Sequence, residues 1–459
     1  MTPRRSWLIL AIVALALRLP DIGNPLVDID EQMYLLVGQR MWTGAIPYVD
    51  IWDRKPIGLF LIFAASHLLP GDPVVIYHLF ALFAAIATAG VIVALARRCA
   101  EPAGALAAGI LYLVWLELIG GRGGQAPIFY DLAIGLAASL TWDTIAGRRR
   151  AALPAMLLTG LALQIKPTVV FEGCFFGVAL LLTSWRRHPR LVRVAGDAAS
   201  YVAIALAPTA SAFAVYVAIG HADAWWFANV RSIFLRHVTP ADAIAEHLTG
   251  AAIVLAIPAI LALRGVIVGR TPGFLAGWMA AAIFGWLLVP PYFNHYALPL
   301  LVPLAICAAA ALDRRAMQVF AAAGGAGLLL LSGYPHAGAT TDTRHRLAAL
   351  AAAIDRARGT GCLFVFQAPP ALYTATGSCL PTRFPFPPHL VQASEAAAIG
   401  VDRRAEVTRI LAARPSVIAA GPPPADGDRV IAGEVDRTLA QHYRAIGGDL
   451  GITLYVRSN

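Results

Sequence analysis

DIDEQMYLLVGQRMWTGAIPYVDIWDRKPIGLFL, residues 28–61, crowds three kinds of chemistry into one stretch. It holds the acids Asp28, Asp30, Glu31, Asp50 and Asp53, with Asp21 just upstream. It holds the aromatics Tyr34, Trp42, Tyr48 and Trp52. It ends on Lys55 and Pro56 before an apolar run. Lysine itself is the anomaly: of 36 basic side chains, 34 are arginine and only Lys55 and Lys166 are lysine, each followed by proline. A coding bias toward arginine accounts for the rarity but not for the shared context.

The bulk numbers set the class. Over 459 residues the chain is 58% apolar and 14% charged, with mean hydropathy +0.67. An ordinary soluble domain is about 45–50% apolar and about 25% charged, so the chain reads as an integral membrane protein. Its net charge of +9 lies in short arginine clusters between apolar runs, the pattern of topology signals. No basic stripe or base-reading motif points to nucleic acid. The start, MTPRRSWLILAIVALALRLP, has the shape of a signal peptide without a clear small-residue cleavage site, and is read as a retained first span.

Crossing about 30 Å of hydrocarbon takes roughly 20 apolar residues. Spans are predicted near 6–20, 74–96, 103–120, 126–146, 151–165, 168–184, 196–219, 248–264, 272–290, 293–312 and 316–333, eleven in all. With Arg4 and Arg5 in the cytoplasm, the even-numbered loops carry Arg97 and Arg98, Arg148 to Arg150, Arg186 to Arg193, Arg264 with Arg270, and Arg314 with Arg315. All fall on one side, as the positive-inside rule requires. The expected location is the bacterial inner (plasma) membrane, multi-pass, with both lysines and the tail on the periplasmic or extracellular face.

The expected domains are 1–337, a membrane domain with an external loop over 21–73, and 338–459, a small soluble α/β domain. In the tail, HRLAALAAAIDRAR and RAEVTRILAAR have helical period, whereas CLFVF, SVIAAG and ITLYV read as strands. Cys362 and Cys379 are either a disulfide of an oxidising compartment or two unpaired buried thiols.

The loop after the first span carries the chemistry. Glu31 to Trp42 is predicted to be an interfacial helix, with Met33, Leu36, Val37 and Met41 on one face and Gln32 and Gln39 elsewhere. Asp28 and Glu31 fit a capping box. A carboxylate at the water–lipid boundary also suits a general base that takes the proton of an attacking hydroxyl or amine. A lysine ammonium suits the oxygen of a lipid phosphate leaving group.

Asp30-Glu31, Tyr34, Met41, Gly44 and Lys55-Pro56 resemble the first external loop of GT-C superfamily glycosyltransferases, among them protein O-mannosyltransferases and the lipid A aminoarabinose transferases. The resemblance implies a polytopic helical bundle with its active site on the external face and a polyprenyl-phosphate-linked sugar as donor. It makes Asp30 the catalytic carboxylate and Lys55 a ligand of the donor phosphate. The second acid, Asp28, departs from the pattern and leaves the base open among Asp30, Glu31 and Asp28.

Further candidates lie elsewhere. PPYFNHYALPLLVPLA (290–305) resembles a late external turn of bacterial members and offers His295 and Tyr296 to substrate; alternatively His295 serves backbone groups at a helix start. GGRGGQAPIFYDLAIGL (120–136) offers Arg122 to phosphate, and Gln125 and Asp131 to sugar. An acid inside a span is costly and functional by default; it could equally pair with Arg122 or Lys166, hold a metal, or join helices. Lys166 is a second phosphate contact or a snorkelling side chain. The external loop 221–247 suggests membrane insertion of Trp225, Trp226 and Phe227, with Arg231 and Arg236 toward lipid phosphate.

No zinc helix, phosphate-binding glycine loop or nucleophile elbow is present, and the cytoplasmic loops are too short for a nucleotide-sugar domain. The expectation is therefore an all-α bundle of about eleven spans with an α/β tail. Its activity would be that of a glycosyltransferase, inverting in mechanism, acting on a glycolipid, polysaccharide or protein acceptor beside membrane lipid. A divalent metal is admitted but not required. The rivals are a lipid-linked-sugar transporter or flippase and a non-catalytic envelope assembly protein.

Overall fold

The computed structural model describes residues 3–236, 240–336, 338–424 and 426–458. A helix stands at each of the eleven apolar segments, from Pro3–Arg18 to Arg315–Leu331. Four are long and apolar enough to cross a membrane: Pro73–Ala96, Pro167–Arg187, Leu191–Ala218 and Ala241–Ile267. Others, such as Ala152–Leu163 with 12 residues and Gly273–Leu287 with 15, rise only about 18–23 Å at 1.5 Å per residue. Among the described residues, length and composition thus fit four of the eleven expected crossings.

The chain divides into two compact units. One comprises 1–22, 77–212 and 239–337, and the other 23–76, 213–238 and 338–459. The first is the helical bundle. Its core runs through Trp115, Phe176, Trp278 and the fully buried segment Leu301–Ala308. Bundles in lipid lack a hydrophobic force between helices and rely on small residues that let backbones approach. Gly265, on the long helix Ala241–Ile267, is one such point: a Cβ there would strike the carbonyl of Cys307.

The second unit contains a four-stranded sheet of order β1-β2-β4-β3, with β1 Leu363–Phe366, β2 Val417–Ala420, β3 Tyr443–Asp449 and β4 Ile452–Arg457. β1 and β2 are parallel and the remaining pairs antiparallel. Helix Ala339–Arg358 buries Leu347, Leu350, Ala351 and Ile354, the spacing of one helical face. Asp402 and Asp428 cap the helices Arg403–Ala412 and Arg429–His442. The predicted helices and strands of the tail are all found. Strand β3 was missed because its sequence, YRAIGGD, has no alternation and is half glycine-disrupted. Cys362 and Cys379 form a disulfide.

Gly265 and Gly250 make a controlled pair on one helix. Gly265→Ala is expected to lower the thermal midpoint of the detergent-solubilised protein, by about 1–3 kcal/mol of overpacking. Gly250→Ala, whose Cβ would meet nothing within 4 Å, is expected to hold or raise it through helix propensity.

Candidate active site

Each compact unit contains one of the two lysines, Lys55 in the unit with the loop and Lys166 in the bundle. In the unit that contains the loop, helix Ile29–Met41 starts at Asp28, whose carboxylate accepts the Asp30 N–H at 2.8 Å. Asp28 is therefore the cap, and the first turn presents Asp30 and Glu31 where the helix dipole favours anions. Asp30 is half-buried and Glu31 buried. Asp30 and Tyr34 are four residues apart and share one helix face.

The Lys55 ammonium lies 5.3 Å from the centroid of the Tyr34 ring. Tyr34 is itself wedged against Phe60 and Phe63. Lys55 is placed by its own neighbours. Its N–H donates to Asp53 Oδ1 at 3.0 Å, its Nζ stands 3.7 Å from the same carboxylate, and Tyr48 donates to its carbonyl at 2.9 Å. Pro56 then opens helix Ile57–Ser66.

Sequence reasoning missed what anchors this loop. Arg54 grips Glu395 through both guanidinium nitrogens, and Arg236 Nε adds a contact to Glu395 Oε1 at 3.0 Å. Arg54 Nε reaches Ser232, whose hydroxyl donates to Ala398 O at 2.7 Å. Burial would raise the Glu395 carboxyl, but the Arg54 fork, with His389 and Arg236, pulls it down to about 2. His389, edge-on to Trp52 and Phe386, is pushed by burial down to about 4. Glu395 lies 341 residues from Arg54 and Ser232 lies 178 away, so no local signal could have found them.

The predicted interfacial helix is corrected too. Gln32 is buried and accepts the Ala371 N–H at 3.2 Å, and Gln39 donates to Thr374 O; the helix packs into protein rather than along a membrane surface. Trp225 is buried against Phe213, and Phe227 packs on Trp52 and Gly400, so neither is free to enter lipid. Trp226 and Arg231 are exposed. Residues 237–239 of that loop lie outside the described residues.

In the bundle unit, Lys166 sits in the turn after helix Ala152–Leu163, extended at φ −152° and ψ 127° as a residue before proline must be. The adjoining Gln164 is fixed to Thr209 Oγ1 at 2.6 Å. The Lys166 ammonium lies 4.2 Å from the Tyr296 ring centroid. Both line a narrow cleft with Tyr130, Glu172 and Trp286. Glu172 accepts from Trp278 Nε1 at 2.6 Å. Asp131 is 1% exposed, has Glu172 and Lys166 as its charged neighbours, and its Oδ2 meets no hydrogen-bond partner among the described residues.

His295 stacks on Phe293 and stands edge-on to Tyr296. Gly120, at φ +89°, lies against the His295 backbone, with a would-be Cβ 3.3 Å from its nitrogen. The glycine-rich turn is clamped by Arg18, which bonds Glu117, Gly121 O and Gly123 O. Arg122 forks onto Asp21 at 2.6 and 2.8 Å, so a structural ion pair engages this expected phosphate contact. Gln125 is buried at the start of helix Ala126–Ile145, with its Nε2 unpartnered among the described residues. Among the described residues no group of three or more His, Cys, Asp or Glu is arranged to hold a metal ion.

No protein-family model and no curated protein sequence matches the chain. Among solved structures it is similar to that of ArnT from Cupriavidus metallidurans bound to undecaprenyl phosphate, with 15% identity, a TM-score of 0.66, and coverage of 98% of this chain and 97% of that one. The likeness shows the fold, shared over essentially the whole length of both chains.

The Arg54–Glu395–His389 hub makes the second unit acid-sensitive. Unfolded, His389 binds a proton below its ordinary 6.5; folded, it does not until about 4. Glu395 behaves likewise between its ordinary 4.5 and about 2. Stability is lost as pH falls through these windows, first from His389 and then from Glu395. Thermal melts of wild type and His389→Phe across pH 8 to 4 check this: the variant is expected to show a shallower decline between 6.5 and 4.

Proposed function

We propose that this chain is a polyprenyl-lipid-dependent membrane glycosyltransferase. In this reading it takes a sugar from a polyprenyl-phosphate carrier and passes it to a glycolipid, polysaccharide or protein on the external face of the bacterial inner membrane. The observation that carries the reading is a carboxylate and the platform of an ammonium on one helix face: Asp30 one turn from Tyr34, with Lys55 held over the Tyr34 ring. A fold shared with a protein bound to undecaprenyl phosphate supports it. The Cys362–Cys379 disulfide suits a tail in an oxidising compartment.

In the proposed reaction the acceptor hydroxyl or amine attacks the anomeric carbon from the face opposite the phosphate. Asp30 takes its proton as the new bond forms, with Asp28 committed to the helix cap. The bond from the anomeric carbon to the phosphate oxygen breaks, and its electron pair leaves with the lipid phosphate. Lys55 stabilises that charge; Lys166 is the corresponding candidate of the bundle unit. The attack from the opposite face inverts the anomeric centre. Tyr296, His295, Asp131 and Gln125 are assigned to the sugar. No step is routed through a metal. Tethering of the donor in the bilayer supplies much of the positioning.

Envelope extracts of cells with and without the gene, compared by mass spectrometry, are expected to differ in one glycosylated species, which identifies sugar and acceptor. With that acceptor and the purified protein in nanodiscs, Asp30→Asn is expected to lower turnover by about 10²–10⁴-fold with an unchanged melting midpoint. Retained transfer in this variant would remove Asp30 as base. Moved but untransferred lipid-linked sugar in wild type would favour a transporter.

A further inference from the structure

A second apolar recess lies in the bundle unit, and none of its residues belongs to the site proposed above. It runs between helix Pro3–Arg18 and helix Pro73–Ala96, an open recess of about 150 Å³ between Trp7, Leu10, Gly90, Val93 and Ala94. Gly90 is what lets it form, because a Cβ there would overlap the Trp7 indole. The indole is 47% exposed and makes one wall. At one end sits Arg97, whose Nη2 donates to Ser6 Oγ at 2.7 Å. Its Nε is buried and has no partner among the described residues. Ser6 is 3% exposed, and its oxygen accepts from Arg97.

The surrounding charge has one sign. Arg4 and Arg5 are exposed just before Ser6, whereas the neighbouring Arg98 is neutralised by Asp143 at 2.9 Å. No carboxylate lines the recess. A greasy recess ending in a guanidinium bonded to a serine hydroxyl matches a phosphodiester that carries an acyl chain. We propose that this recess is a binding site for an anionic glycerophospholipid, its phosphate on Arg97 and Ser6 and one acyl chain along Trp7, Leu10 and Val93. Arg4 and Arg5 select a net negative headgroup over a zwitterionic one.

Native mass spectrometry of the full chain tests this, after incubation with equimolar palmitoyl-oleoyl phosphatidylglycerol and phosphatidylethanolamine. Wild type is expected to retain phosphatidylglycerol preferentially. Arg97→Gln should lose about tenfold in that retention, and Arg97→Lys, which keeps the charge but not the fork, should lose less. Ala94→Phe leaves the arginine in place and fills the channel, and should also release the lipid if folding of the Arg97 variants is impaired. Equal retention of the two lipids by wild type, unchanged retention in both Arg97→Gln and Ala94→Phe, or a lipid-free dimer would each overturn the proposal.

Discussion

A cation held over a tyrosine face recurs at both lysines of the chain: Lys55 over Tyr34 and Lys166 over Tyr296, one in each compact unit. The shared Lys-Pro context now has a physical reason. Proline keeps the preceding residue extended and opens the next helical turn, so each ammonium sits just ahead of a helix start. An ammonium is a compact point charge that an aromatic face can hold while its donors still reach an anion. A guanidinium is larger, flat and committed to fork geometry. The arginines show that commitment here, with Arg54 gripping Glu395 and Arg122 gripping Asp21. Both lysines stand ahead of a helix start with the ammonium over a tyrosine ring.

Around Lys55 the support is layered. Asp53 fixes the backbone and flanks the ammonium, and Phe60 and Phe63 hold the tyrosine. One residue away, Arg54 fastens the loop to Glu395, a buried acid of the tail. The tail segment is thereby part of what places the lysine loop. Removing one member of such a pair strands a buried charge, so the loop and this part of the tail are energetically one structure.

Much of this was legible in the sequence. Apolar runs of the right length marked every helix of the bundle, because burial in lipid or protein demands them. The loop motif drew attention to Asp30, Tyr34 and Lys55, and helical spacing put the first two on one face. Two kinds of information were not legible. Contacts between distant segments, such as Gln32 with Ala371 or Arg54 with Glu395, leave no local pattern. Residues with two plausible environments could not be assigned: Trp225 and Phe227 read as membrane anchors yet pack into protein, and Arg122 read as a phosphate ligand yet forks onto Asp21.

The central claim is that a lysine ammonium held over a tyrosine ring, and not positive charge in general, binds a lipid phosphate. Direct binding of undecaprenyl phosphate to the purified protein, compared among wild type, Lys55→Arg and Lys166→Arg, tests it most directly. The account predicts that each arginine variant binds clearly more weakly although its charge is kept, because a broad planar fork presents its donors to a phosphate differently from a compact ammonium. Wild-type affinity in both arginine variants would contradict it.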